Sequence, residues 1–253
     1  MGYIKLVWTA LVVIISLILS LPVLLVCLVV GLFSMDARDA ITMWMIRAFF
    51  RITLWSTGTK LHLSGTENIL KDQSALYVGN HQSFFDVVIS YAYFKRITAF
   101  ISKKEFGQVP ILSWWMRMAH NLFLDRNDIK KGMKTILKAI EMVKDGVSIC
   151  IYPEGTRKKD SSVDMLPFHA GSFKIAEKSG CPIIPMVGYN ISAIFEDHLP
   201  RIAGEHVFLD FGQPIYIKDL DPEDKKHVSE YVRNIMLERY QELKKQYEEL
   251  NVK

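Results

Sequence analysis

Four regimes of hydrophobic patterning follow one another along the chain. From Leu6 to Phe33 the apolar residues are nearly continuous (LVWTALVVIISLILSLPVLLVCLVVGLF), and no charged residue lies between Lys5 and Asp36. About 20 apolar residues span the hydrocarbon core of a bilayer, so this run predicts membrane contact. A cleaved signal peptide is the competing reading. Its apolar region is normally about 7–15 residues and ends at small residues, whereas this run ends in Phe33-Ser34-Met35. Pro22 removes a helical hydrogen bond in mid-run. Two geometries compete: one tilted, kinked span, or two shorter helices that meet near Pro22 and dip into one leaflet. At about 1.5 Å per residue a straight helix would reach roughly 42 Å, against a core of about 30 Å, which favours the two-helix version. Arg38, Arg47, Arg51 and Lys60 follow the run and outnumber Lys5 before it. The positive-inside bias therefore places the remaining chain on the cytoplasmic side in either geometry.

The second regime, Asp36 to Thr57, mixes Trp44, Phe49, Phe50 and Trp55 with Arg38, Arg47 and Arg51. Aromatic residues and arginines together suit the headgroup layer; a core helix of the following domain is the alternative. Gly58 is placed to cap its C-terminus. From Thr59 onward, short β-rich runs alternate with helical patterns. Strands are expected at Lys60–Leu63, Ala75–Gly79, Thr98–Ile101, Asn121–Leu124, Ser148–Tyr152, Ile183–Tyr189 and His206–Phe211. Helices are expected at Phe84–Phe94, Ile111–Met118, Ile129–Lys144 and Ser172–Ser179. This alternation predicts an α/β fold, a largely parallel sheet flanked by helices, with ligands just beyond the carboxyl ends of its strands. The last regime, Pro222–Leu250, is charged, with Val228, Tyr231, Val232, Ile235, Leu243, Tyr247 and Leu250 near helical period, and reads as an amphipathic helix packed on the domain. The organisation expected is residues 1–58 as membrane-embedded and interfacial helices, and 59–253 as the α/β domain.

Composition narrows the picture. Of 253 residues, 50% are hydrophobic and 23% charged, which excludes wholesale disorder. The net charge of +4 suits an anionic membrane face or a phosphorylated substrate and gives little reason to expect nucleic acid. Cys27, Cys150 and Cys181 lie far apart, without CxxC or a metal-like spacing, and read as buried thiols in a reducing compartment. No metal or organic cofactor is suggested.

Four clusters carry candidate chemistry. Asn80-His81-Gln82-Ser83-Phe84-Phe85-Asp86 follows an expected strand directly. His81 is the natural general base, since an ordinary imidazole titrates near pH 6.5, and Asp86 could orient it by accepting from one ring nitrogen. Ser83-x-x-Asp86 also reads as a capping box that merely opens the next helix. Tyr152-Pro153-Glu154-Gly155-Thr156-Arg157 follows another strand; its Pro and Gly shape a tight loop, and Arg157 offers a planar fork to phosphate or carboxylate. Phe123-Leu124-Asp125-Arg126 brings a second arginine to the same edge. Cys181-Pro182-Ile183-Ile184-Pro185 holds no strongly titratable group, so its contribution is shape.

The order HxxxxD, FLDR, PEGTR, PIIP resembles the glycerolipid acyltransferase family, and most its 1-acylglycerol-3-phosphate acyltransferases, over roughly Thr59 to Phe211. The resemblance implies that His81 deprotonates the 2-hydroxyl of a lysolipid acceptor, which attacks an acyl-ACP or acyl-CoA thioester directly with no acyl-enzyme, while Asp86 orients His81. It implies acceptor-phosphate binding by Arg126 and Arg157, a loop held by Glu154 and Gly155, Thr156 as a further substrate-binding residue, and assistance from the basic pair Lys103 and Lys104. It also implies lysophosphatidic acid as acceptor, membrane lipids as surroundings, and a place at the cytoplasmic face of the cell membrane. The chain departs from the family pattern at Lys158, where a Ser or Asn is common, and at Pro167-Phe168-His169-Ala170-Gly171, where two basic residues are common. Both departures put the acceptor headgroup in question, and glycerol 3-phosphate or another lysophospholipid stays open. Two other classes fit the sequence less well. A hydrolase using Ser83 and His81 has poor local geometry and no G-x-S-x-G elbow. A non-catalytic lipid binder would be expected to have lost His81 or Asp86.

Overall fold

The structure, a computed structural model, describes residues 2–124, 128–157 and 163–251. Its strands are β1 (Lys60–Ser64), β2 (Leu76–Gly79), β3 (Thr98–Lys103), β4 (Leu122–Leu124), β5 (Ser148–Ile151), β6 (Ile183–Tyr189) and β7 (His206–Phe211). Its α-helices are α1 (Gly2–Leu19), α2 (Leu21–Val30), α3 (Met35–Thr57), α4 (Phe85–Tyr93), α5 (Leu112–Met118), α6 (Ile129–Lys144), α7 (Lys174–Ser179), α8 (Pro222–Lys226) and α9 (Val228–Asn251). The strands form one sheet in the order β1-β7-β6-β2-β5-β3-β4. Every neighbouring pair is parallel except β6 with β7. The expected α/β class and all seven expected strands are present.

Two-residue periodicity along the strands sorts side chains to two faces. Tyr77, Phe100, Cys150, Ile184, Leu209 and Phe211 join one buried cluster, whose helical side comes from α3, α4 and α5. Leu76, Val78, Ala99, Ile149, Ile183 and Phe208 join the other, covered by α6, α7 and α9. β2 and β5 are buried at every position. That is why these strands read as continuous apolar runs rather than alternating ones. The C-terminal segment is divided at His227 into α8 and α9. Its buried stripe runs through Val228, Val232, Met236, Tyr240 and Leu243, while Leu250 is exposed.

Gly2–Val30 is long and apolar enough to cross a membrane by length and composition. The expected break near Pro22 occurs, but the two pieces do not fold back on each other. Ser20 keeps helical φ and ψ, its N–H donates to Ser16 O and its carbonyl accepts from Leu24 N–H, so helical hydrogen bonding continues across the break. Both pieces lie along α3, with Ser56 Oγ donating to Thr9 Oγ1 (3.2 Å) near one end and Thr42 Oγ1 to Cys27 Sγ (3.8 Å) near the other. The Trp115 indole N–H donates to Ser20 Oγ (2.8 Å) and pins the junction of α1 and α2 to α5. Where α2 turns into α3, Leu32 and Phe33 are more than four-fifths exposed.

α3 starts on a Ser34 cap and ends at Gly58 in the left-handed conformation (φ +72°). Trp44, Ile52 and Trp55 are exposed. The arginines are turned elsewhere: Arg51 Nε donates to Ala92 O (3.0 Å) and Arg47 to Phe94 O (3.4 Å). They therefore satisfy carbonyls at the end of α4, where cations are favoured. Leu24, Met43, Ile46 and Leu54 share one buried cluster with Tyr77, Phe94 and Phe211, so the N-terminal helices are packed on the sheet. The three cysteines are free and buried.

Candidate active site

β2 lies between β5 and β6, so the loops leaving the carboxyl ends of these three parallel strands converge. The first loop carries His81 and Asp86. Asp86 belongs to the first turn of α4 and turns back on the loop before it. Its Oδ2 accepts from His81 Nδ1 (2.7 Å), Gln82 N–H (2.7 Å) and Ser83 N–H (2.8 Å). One carboxylate oxygen thus orients the imidazole and holds the turn before α4, while the Ser83 hydroxyl accepts from Phe85 N–H rather than from Asp86 N–H, so the pair does not close as a capping box. Three donors offset the desolvation of a residue only 4% exposed. Oδ1 is buried without a hydrogen-bond partner among the described residues. With Nδ1 facing a carboxylate, the proton of a neutral ring belongs on Nδ1, and Nε2 keeps a lone pair. The His81 side chain is 18% exposed and remains reachable.

The second loop fixes His81 from two sides. The His81 N–H donates to Glu154 Oε1 (2.7 Å), whose other oxygen accepts from Leu166 N–H (2.9 Å). Burial pushes the Glu154 carboxyl above the usual carboxylate range, against these two hydrogen bonds. The Tyr152 ring stacks on the imidazole at 4.4 Å and 13°. Gly79 makes this possible, because a Cβ there would fall 2.7 Å from the Tyr152 ring. Burial holds the Tyr152 phenol well above its ordinary value, so it stays neutral. Gly155 has φ +69°, and a Cβ on it would press on the His169 ring at 3.0 Å. The His169 N–H donates to Pro153 O (2.9 Å), which seats this departure from the family pattern directly against the Pro153–Arg157 loop.

The third loop supplies a residue that sequence reasoning missed. Glu196 accepts from Ser83 Oγ (2.5 Å) and Phe84 N–H (2.9 Å), and from Arg157 (2.9 Å). The Arg157 guanidinium also lies 4.0 Å from the centre of the Phe84 ring. Glu196 therefore ties the His81 loop to the Arg157 loop. An acidic residue in a loop after a strand was its only sequence signal, and nothing local indicates that β6 neighbours β2. Asn80 joins the same two strands, donating to Gly188 O (2.9 Å) and accepting from Gly188 N–H (2.8 Å). Ser83 is fully buried and its hydroxyl is committed to Glu196 and Phe85 N–H, which removes the geometry a Ser83–His81 hydrolase needs.

The remaining expected site residues are dispersed. Thr156 is exposed in the Arg157 loop. Lys103 ends β3 and Lys104 opens the short 3₁₀ turn after it. β3 is two places from β2, about 10 Å across the sheet, so this basic pair stands on the catalytic edge without direct contact to His81. Arg126 and Lys158 lie outside the described residues.

The sequence model of the Acyltransferase family matches residues 60–188, just over half of the chain. The chain belongs to the acyltransferase family. The matched span runs from β1 into β6 and includes both the His81–Asp86 pair and the Pro153–Arg157 loop of this acyltransferase. It is 28% identical over 200 residues to a 1-acyl-sn-glycerol-3-phosphate acyltransferase of Borreliella burgdorferi, covering 79% of each chain. It is 27% identical over 212 residues to the enzyme of that name from Saccharomyces cerevisiae, covering 83% of this chain and 70% of that one. The fold is similar to the crystal structure of the 1-acyl-sn-glycerophosphate (LPA) acyltransferase from Thermotoga maritima, with a TM-score of 0.81 at 23% identity over 96% of this chain and 97% of that one.

Proposed function

We propose that the protein transfers an acyl group from an acyl thioester to the free 2-hydroxyl of 1-acylglycerol 3-phosphate, giving phosphatidic acid for phospholipid synthesis. The observation that carries this reading is the His81–Asp86 pair, whose reachable Nε2 has no hydrogen-bonded serine, cysteine or threonine beside it among the described residues. The nucleophile then arrives with the acceptor. His81 Nε2 takes the proton of the 2-hydroxyl as its oxygen attacks the thioester carbonyl. The tetrahedral intermediate collapses, the C–S bond breaks, and the thiolate leaves with the proton returned from Nε2. Asp86 keeps Nδ1 protonated and offsets the imidazolium charge formed between the two transfers.

Arg157 and Arg126 bind the acceptor phosphate, with Lys103 and Lys104 adding positive charge along the same edge. Glu154 and Gly155 shape the loop that carries Arg157, and Thr156 lies within it. The donor is acyl-ACP or acyl-CoA. Residues 1–58 hold the 59–253 catalytic domain at the cytoplasmic face of the cell membrane, so that a lysolipid is taken without full extraction into water. The relatives named as 1-acyl-sn-glycerol-3-phosphate acyltransferases add support for the acceptor.

The test is acyl transfer by detergent-purified protein, with lysophosphatidic acid, glycerol 3-phosphate and lysophosphatidylcholine offered side by side with each donor. Phosphatidic acid formed from lysophosphatidic acid alone, and lost in His81→Ala, is the expected result. Transfer to another acceptor would move the substrate and keep the chemistry. No transfer by folded protein from either donor would remove the proposal.

A further inference from the structure

Away from the catalytic edge, the start of α1 meets the segment that leads from the Glu196–His198 turn to β7. An open pocket of about 280 Å³ lies between them, lined by Gly2, Lys5, His198, Arg201, Ile202 and Ala203. All of its charged or titratable lining is basic, and it is drawn from two segments nearly two hundred residues apart in sequence. None of the Lys5, His198 and Arg201 side chains has a hydrogen bond or ion pair with another described residue. Cations gathered in one concavity repel one another unless an anion completes the site. Glycine lets the segments around the pocket approach closely: a Cβ on Gly204 would fall 2.7 Å from the Gly58 carbonyl oxygen, and one on Gly2 would fall 2.9 Å from Arg201 Cβ.

The depth of this pocket names its occupant. Lys5 is the sole charged residue of the apolar helix Gly2–Val30 and stands at its very start. A lysine at the end of such a helix is drawn to the headgroup layer, where its stem stays in apolar surroundings and its ammonium stays wet. The pocket is thereby held at the level of the lipid phosphates, and Arg201 and His198 of the catalytic domain meet Lys5 there. We propose that this pocket binds the phosphate group of an anionic phospholipid in the leaflet that holds α1. Glu196, two residues before His198, is the carboxylate that ties the His81 loop to Arg157. Headgroup occupancy therefore bears on the segment that also braces the candidate active site. The inference rests on α1 entering the membrane, and its binding readout is independent of which acceptor is acylated.

Vesicle flotation of the full chain tests it. Phosphatidylcholine vesicles are compared with equimolar phosphatidylcholine–phosphatidylglycerol vesicles, for wild type and for Lys5→Gln/Arg201→Gln. Wild type should gain affinity on the anionic vesicles, and the double variant should lose about 25-fold of it, at about fivefold per basic charge removed. Affinity for neutral vesicles should be unchanged, since the apolar helices supply it. Arg201→Gln alone, outside α1, should lose about fivefold and decides the matter should the double variant be unstable. An undiminished gain in these variants would overturn the site. So would an equal loss in Lys225→Gln/Lys226→Gln on exposed α8, which would mean diffuse attraction. Inorganic phosphate that cancels the gain at the same phosphate concentration would assign the pocket to free phosphate rather than to a headgroup.

Discussion

His81 is held by three different kinds of contact: a carboxylate on Nδ1, a carboxylate on its backbone N–H, and an aromatic ring on its face. Each has its own expected consequence. His81→Ala should lower turnover by about 10²–10⁴-fold, the usual contribution of a positioned base, with the thermal melt little changed. Asp86→Asn keeps an acceptor for the Gln82 and Ser83 N–H groups but removes the charge that holds Nδ1 protonated. Its rate should fall by a similar factor, read as kcat rather than KM. Glu154 makes a pH-dependent case. Its carboxyl is raised in the folded state by burial, so its favourable contribution is full below the unfolded carboxylate range and fades as pH rises through the raised value. Glu154→Gln does not titrate, but its single carbonyl oxygen serves only one of the His81 and Leu166 N–H groups. Wild type should therefore lead the variant most at acid pH and lose part of that lead towards neutrality. Denaturation midpoints at several pH values check this, and a lead that grew with pH would contradict it.

Among elements, the site depends on three loops that only the sheet brings together. Glu196 is the clearest link, since it touches the His81 loop twice and Arg157 once. Glu196→Gln loses the ion pair, leaving Arg157 against Phe84 without its carboxylate. The acceptor KM should rise by roughly tenfold, with a smaller change in kcat. Equal change for a neutral and a phosphorylated acceptor would show that Arg157 placement is not what was lost. Asn80→Ala cuts two buried hydrogen bonds between the ends of β2 and β6. A cost of about 1–3 kcal/mol is expected in chemical denaturation, because Gly188 is left with unpaired backbone groups. The motif at His81–Asp86 and the Pro153–Arg157 loop were both legible in sequence because each is local, a strand followed by a polar turn. Glu196 was not, because its meaning lies in the neighbourhood of β6 and β2, which a one-dimensional pattern does not contain.

At the scale of the whole molecule, the N-terminal helices are structural partners of the sheet as well as candidates for the bilayer. Leu24 and Cys27 of α2 and Met43, Ile46 and Leu54 of α3 are buried in the cluster that also contains Tyr77 and Phe211. Removing residues 1–33 should therefore do more than release the protein from vesicles. It should uncover one side of α3 and lower the melting temperature by about 10 °C, as expected for several kcal/mol lost from a chain of this size. Release from membranes with an unchanged melt would mean that the anchor and the domain are energetically separate.

The sequence by itself determined the order and type of elements, the long apolar N-terminal run, and the two motifs at strand ends, because periodicity, capping and turn chemistry act over a few residues. Seven strands and the boundaries of α6 follow from such local rules. The tertiary structure alone decided which strands are neighbours, that β7 runs against β6, and that the helix continues past Pro22 without folding back. It also turned Arg47 and Arg51 towards the carbonyls of α4 and brought Glu196 to Ser83 and Arg157. These outcomes are set by burial and by hydrogen-bond satisfaction between segments distant in sequence. Their free energy belongs to pairs of elements, and no single element carries it.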